Sequence, residues 1–297
     1  MDTADTFQTL NIIFSVLSFV LGTMIGSFLN VCVHRMPKGL SVIHPRSRCP
    51  QCESSIQWYD NFPILSWLIL GAKCRNCKTP ISWQYPLVEA ITGFLFFLVF
   101  WRFGITVASG VYMLLAASMV LVTFVDLTDW TIPNEVTLPG IFVGIGCALV
   151  ITFYPESMLH IEGPFTMPVA NSLLGIVVGG GSLFLLDKAS LLILGKRGMG
   201  GGDVKLLAML GAFFGLYGVV LIIAISSVLG SIVGILMMQM QKRAVAEGGE
   251  EVAAGHYLPF GPYLALAGVI YMLYGPNFIA WYTSQFAAPG NYPQLPL

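Results

Sequence analysis

Apolar residues run almost unbroken through 12–33, 87–101, 108–127, 136–153, 169–192, 218–240 and 259–280, with a shorter stretch at 204–216. A helix needs about 20 largely apolar residues to cross a hydrocarbon core, and most of these runs approach that length. Ile12 to Val33 and Val169 to Leu194 stay apolar over whole helical spans, without the alternation of a membrane strand, so a β-barrel is disfavoured. The pattern predicts an all-α polytopic membrane protein with about eight transmembrane helices. The 204–216 run is short for a crossing, but Phe213, Gly215 and Leu216 lead almost directly into Val219. A tight hairpin with the next span is expected there; the alternative is one long bent helix and seven crossings.

Composition excludes a soluble domain. Hydrophobic residues make up 56% of the 297 and charged residues 10%, against roughly 25% charge in a soluble protein. The formal net charge of −1 leaves no basic stripe for nucleic acid, so membrane lipid is the expected environment. The first ten residues carry Asp2 and Asp5 and no Lys or Arg, so the run from Ile12 reads as a retained span rather than a cleavable signal.

Basic residues set the expected orientation. Arg35, Lys38, Arg46, Arg48, Lys73, Arg75 and Lys78 fall between the first two spans, which places that segment in the cytosol and the amino terminus outside. Alternation then puts Lys196, Arg197, Lys205, Lys242 and Arg243 on the same side. Segment 154–168 holds Glu156 and Glu162 with no Lys or Arg, as an outer loop should, whereas the acidic segment 244–257 shows that not every cytosolic loop is basic. The expected organisation is 1–33 as outer terminus and first span, 34–85 as a cytosolic module, and 86–297 as the helical bundle.

The 34–85 segment is too short to bury a sufficient core unaided. It contains Cys49-x2-Cys52 and Cys74-x2-Cys77, and its halves repeat: Cys52 is followed by Ile56 and Trp58, Cys77 by Ile81 and Trp83, a shift of 25 residues. Two such knuckles suit one zinc held by Cys49, Cys52, Cys74 and Cys77, with the paired Ile and Trp side chains expected to cover it. Redox-active dithiols or plain structural thiols are the alternatives. Four thiolates close the shell and leave no position for a metal-bound water, so the zinc would be structural. The four histidines, His34, His44, His160 and His256, form no H-E-x-x-H pattern. Cys32 and Cys147 lie in apolar spans and read as packing residues.

Two acids stand at span borders. Asp126 ends the third span, and Asp203 follows Gly200-Gly201-Gly202 at the start of the 204–216 run, both on the expected cytosolic side. Carboxylates at such positions are costly, and function is the default inference. A facing pair can share a proton, one member activating water while the other polarises a peptide carbonyl. Helix caps or plain boundary acids are the alternative. The glycine-rich 198–202 stretch is not a phosphate loop, because Gly-Lys-Ser/Thr and a preceding strand are both missing.

Taken together, the chain resembles the type IV prepilin peptidases, also called leader peptidase/N-methyltransferases, along nearly its whole length. The resemblance is carried by Gly26-Ser27-Phe28-Leu29-Asn30-Val31 with His34-Arg35, the two Cys-x-x-Cys pairs, Tyr85-Pro86-Leu87-Val88-Glu89, Gly200-Gly201-Gly202-Asp203 with Asp126, and Pro259-Phe260-Gly261-Pro262-Tyr263. It implies a membrane aspartyl protease of the G-x-G-D type in a bacterial inner membrane, with Asp126 and Asp203 catalytic. It further implies cleavage of the basic leader from type IV prepilins and type II secretion pseudopilins at the cytosolic face. Methyl transfer from S-adenosylmethionine to the new amino terminus would follow. No Rossmann pattern accompanies that second activity, and Glu89 is its weak site candidate. Where many relatives carry further acids this chain has Thr128 and Asn134, which are expected to organise hydrogen bonds near the dyad, while Asp129 is displaced by one position and is not expected to be catalytic. A proton-coupled transporter and a noncatalytic membrane scaffold are the competing classes.

Overall fold

The computed structural model describes residues 3–154, 168–195, 198–246 and 259–286. The expected outer loop 154–168 and acidic segment 244–257 fall largely outside these, as do Lys196, Arg197, His160 and His256. The long helices are α1 (Thr3–Arg35), α3 (Gln84–Phe103), α4 (Val107–Asp129), α5 (Asn134–Phe153), α6 (Val169–Leu194), α7 (Gly201–Ala246) and α8 (Gly261–Phe286), and a short α2 (Leu65–Ile69) lies between α1 and α3. Counting α7 as one, seven are long and apolar enough to cross a membrane.

Gly215 divides α7. Its φ of 65° and ψ of −167° are open only to glycine, and the consequence is a reversal rather than a bend. A Cβ built on Gly179 of α6 would stand 2.7 Å from the Leu207 carbonyl and 3.3 Å from a Val219 methyl. Twelve residues of continuous helix rise about 18 Å, so Leu207 and Val219 can flank one glycine only if the chain doubles back between them. Asn171 secures the turn by accepting from the Leu216 amide at 3.1 Å, and Ser172 donates to the Ala212 carbonyl at 2.7 Å. The tight hairpin expected from the sequence is therefore present, giving eight helical segments among the described long helices. The first arm, 201–214, is about 21 Å long, shorter than a hydrocarbon core of about 30 Å.

That arm is also the most enclosed element. Leu206, Leu207, Met209, Leu210 and Phe214 are fully buried and join Tyr112 of α4, Leu264 and Tyr271 of α8 and Leu183 of α6 in one core. Small residues permit this: Gly175 and Gly179 of α6 and Gly211 of α7 leave no room for a Cβ where the helices meet. In lipid, where apolar surface gains little by leaving the solvent, such close packing is what holds helices together. Asp203 thus enters the bundle in the first turn of its innermost helix.

Candidate active site

Asp126 lies in the last turn of α4 and Asp203 in the first turn of α7; their residues are 6% and 8% exposed. The chain brings them together through α8 and the loop after α4. α8 packs on both α4 and α7. Ile132, just before the Pro133 cap of α5, fills the space a Cβ on Gly202 would need, at 2.8 Å, and also approaches Gly261 to 3.1 Å on the same measure. The two carboxylates lie within electrostatic reach of each other.

Gly261 opens α8 beside Asp126. Its amide donates to Asp126 Oδ2 at 3.1 Å in a buried setting, and any Cβ there would stand 2.5 Å from that oxygen. The Gly200 backbone amide donates to the Asp203 carboxylate, while Asp203 Oδ1 is buried with no hydrogen-bond partner.

The flanking polar residues divide. Lys205 Nζ donates to Asn134 Oδ1 at 2.7 Å, joining the start of α5 to the helix that carries Asp203. Thr128 is spent on the Phe124 and Val125 carbonyls and on Asp129 Oδ2, at 2.9, 3.2 and 3.0 Å, so it does not organise the dyad. Asp129 itself is exposed. Lys205 and the Gly261 amide were missed by sequence reasoning; the motif around Gly261 and the oddity of Asn134 were visible, but their partners were not.

The four thiols of Cys49, Cys52, Cys74 and Cys77 lie within 4.8 Å of one another. Cys49 Sγ is 3.7 Å from Cys77 Sγ, and Cys52 Sγ is 4.0 Å from Cys74 Sγ. Tetrahedral thiolates at about 2.3 Å from zinc stand about 3.8 Å apart, so the donor set and its spacing fit that metal. The repeat read from the sequence reaches the backbone. Bridges pair Arg48 with Ser55 and Lys73 with Pro80, and positive φ recurs at Glu53 and Lys78. Hydroxyls accompany the second cysteine of each knuckle, Ser54 at 3.0 Å from Cys52 Sγ and Thr79 at 3.1 Å from Cys77 Sγ. Hydrogen bonds from the Thr79 side chain and backbone pull the Cys77 thiol down to about 6.

The tryptophans do not cover these sulfurs. Trp58 and Trp83 are 76% and 69% exposed; Trp58 leans edge-on against Tyr59 and Phe62, and Trp83 caps α3 where the span begins. An indole pairs a polar N–H with an apolar body and favours such a border. Cys32 and Cys147 are buried, as packing residues should be.

Glu89 is buried on α3, accepts from the Ile64 amide at 2.7 Å and bonds the Ser27 side chain. It ties the segment around α2 to the α1/α3 pair. Two clefts, one lined by Asn11, Ile12, Ser15, Phe100, Trp101 and Gly104 and the other bordering it, open at the end of the bundle away from Asp126.

Residues 20–103 match the Bacterial Peptidase A24 N-terminal domain and residues 113–235 match the Type IV leader peptidase family. The chain is 36% identical to a prepilin leader peptidase/N-methyltransferase of Stutzerimonas stutzeri, over 92% of this chain and 95% of that protein. It is 35% identical to one of Pseudomonas aeruginosa, over 92% and 94%, and 34% identical to one of Myxococcus xanthus, over 89% and 91%. No solved structure matches. Both halves of the chain match domains of one family, and the relatives align over nearly their full length; the chain belongs to the type IV leader peptidase family.

Proposed function

We propose that the protein is a bifunctional inner-membrane enzyme that removes the leader from type IV prepilins and type II pseudopilins and then methylates the new amino terminus. The observation that carries the protease reading is the convergence of Asp126 and Asp203, 77 positions apart in sequence, at one buried end of the bundle with the Gly261 amide on the first.

One carboxylate takes a proton from water as the oxygen attacks the scissile carbonyl, while the other gives its proton to the carbonyl oxygen. Collapse of the diol returns a proton to the second aspartate, and the first protonates the departing amine as the C–N bond breaks. The basic 34–85 segment supports a cytosolic position for this end of the bundle, the side from which a leader is presented. Cys49, Cys52, Cys74 and Cys77 would hold zinc, which supplies a cross-link between the knuckles and takes no part in hydrolysis. S-adenosylmethionine is the donor for the second activity; no step here is assigned to a residue for it.

Mass spectrometry of the products from purified protein, a prepilin and S-adenosylmethionine tests both activities at once, because leader loss and methyl gain differ in mass. An uncleaved prepilin, with ion-coupled uptake into vesicles instead, would favour the transporter.

A further inference from the structure

We propose that the dyad divides its labour, the α8 amide of Gly261 holding Asp126 as the charged base and the orphaned Oδ1 of Asp203 carrying the proton. This rests on the peptidase reading above.

The surroundings of the two carboxylates differ. Asp126 Oδ2 receives the Gly261 amide at 3.1 Å, at the first residue of α8. A first-turn amide has no intrahelical acceptor, so the Gly261 N–H is free to serve the carboxylate, as the Gly200 amide serves Asp203 at the start of α7. The other Asp126 oxygen is not among the buried atoms left without a partner, whereas Asp203 Oδ1 is. An ionised oxygen buried without a donor is costly, and a proton on that oxygen removes the cost. A proton placed there has no protein acceptor to hold it and is free to be given to a substrate carbonyl.

Other titratable groups at this end are Asp129 on α4, Glu135 on α5, Asp187 and Lys188 on α6, Lys205 on α7 and Tyr263 on α8. Among the described residues none makes a hydrogen bond or ion pair with either aspartate. Asp129 bonds Thr128, Lys205 bonds Asn134, and Lys188 lies over the Phe184 ring. Each carboxylate thus receives one backbone amide, Gly261 on Asp126 and Gly200 on Asp203, and the pair differs at the second oxygen, which is buried without a partner on Asp203.

The test removes the donor on Asp126. Glycolic acid introduced at position 261 of the full chain replaces the amide N–H by an ester oxygen, adding no atom beside Asp126. The readout is the kcat–pH profile for a purified prepilin that the wild-type protein cleaves. If Asp126 is the base, its charged form appears in both the singly and doubly ionised dyad. Losing the N–H then raises the acid limb by about one to two pH units, the worth of a hydrogen bond to a charged group, and leaves the alkaline limb in place. If Asp203 were the base, Asp126 would ionise only in the second step, and the alkaline limb would move instead. Movement of the alkaline limb alone, or of neither limb, overturns the assignment. The ester at Tyr263, whose amide bonds the Phe260 carbonyl at 3.1 Å, controls for loosening of α8 and should leave both limbs in place; an equal shift there also overturns it. If the 261 ester does not fold, Gly261→Ala keeps the amide but drives a Cβ against Oδ2, and should likewise raise the acid limb; an unmoved acid limb in that folded variant contradicts the proposal. Failure of the wild type to cleave would instead strike the peptidase reading.

Discussion

The Lys205 ammonium lies 2.7 Å from the side-chain oxygen of Asn134, so the loop leaving Asp126 is tied to the helix two residues after Asp203. Breaking this tie should blur the spacing of the dyad without touching either carboxylate. Lys205→Met or Asn134→Ala is expected to lower kcat about three- to tenfold, the bond being charge-assisted but exposed, with KM little changed. Asn134→Asp, which offers the same ammonium a carboxylate, should retain activity. Steady-state kinetics on the three variants checks this.

Gly215 makes the reversal of α7 sensitive to a single methyl group. Gly215→Ala places a side chain at φ 65° and about 3.0 Å from Asn171, and should cost about 1–3 kcal/mol from the backbone alone. Gly234→Ala, with open space around it and no positive φ, should be neutral or slightly stabilising. Thermal unfolding of the two variants in one detergent gives the comparison.

Stoichiometric zinc is expected in protein never exposed to chelator. Cys74→Ser should lose it and unfold the knuckles while α3 to α8 still insert. Metal analysis with limited proteolysis of the 34–85 segment measures both effects.

The zinc module should also be acid-sensitive in a defined direction. Cys77 is held down from 9.0 to about 6 by the Thr79 hydrogen bonds. A depressed thiol adds stability that is complete above its ordinary value and is lost as pH falls through the folded one. In the metal-free module this window runs from about 9 down to about 6. Thr79→Val removes the hydroxyl, so protons should compete with zinc at higher pH. Zinc release followed with a chelating dye between pH 5 and 8 should shift upward in that variant.

Much of this arrangement was legible in local sequence. The 25-residue repeat around the cysteines returned as paired bridges and paired positive φ values, because a knuckle is a short-range structure. The hairpin at Gly215 was legible for a similar reason: the 204–216 run is too short to span, and a glycine stood at its end. The contacts of Gly261 with Asp126 and of Lys205 with Asn134 join residues 135 and 71 positions apart, and no local periodicity encodes which helix end meets which. Trp58 and Trp83 went the other way. Their shared spacing suggested a common cover for zinc, but Trp58 rests on Tyr59 and Phe62 and Trp83 caps α3 instead.

Asp126 and Asp203 as a hydrolytic pair are tested most directly by measuring prepilin cleavage and, separately, methylation of a precleaved substrate in Asp126→Asn and Asp203→Asn, with folding and zinc content verified. Either substitution should abolish cleavage, because an amide supplies neither the base nor the shared proton, while methylation of the precleaved substrate persists and Asp129→Asn stays close to wild type. Near-normal cleavage by a folded Asp126→Asn or Asp203→Asn protein would contradict the pair.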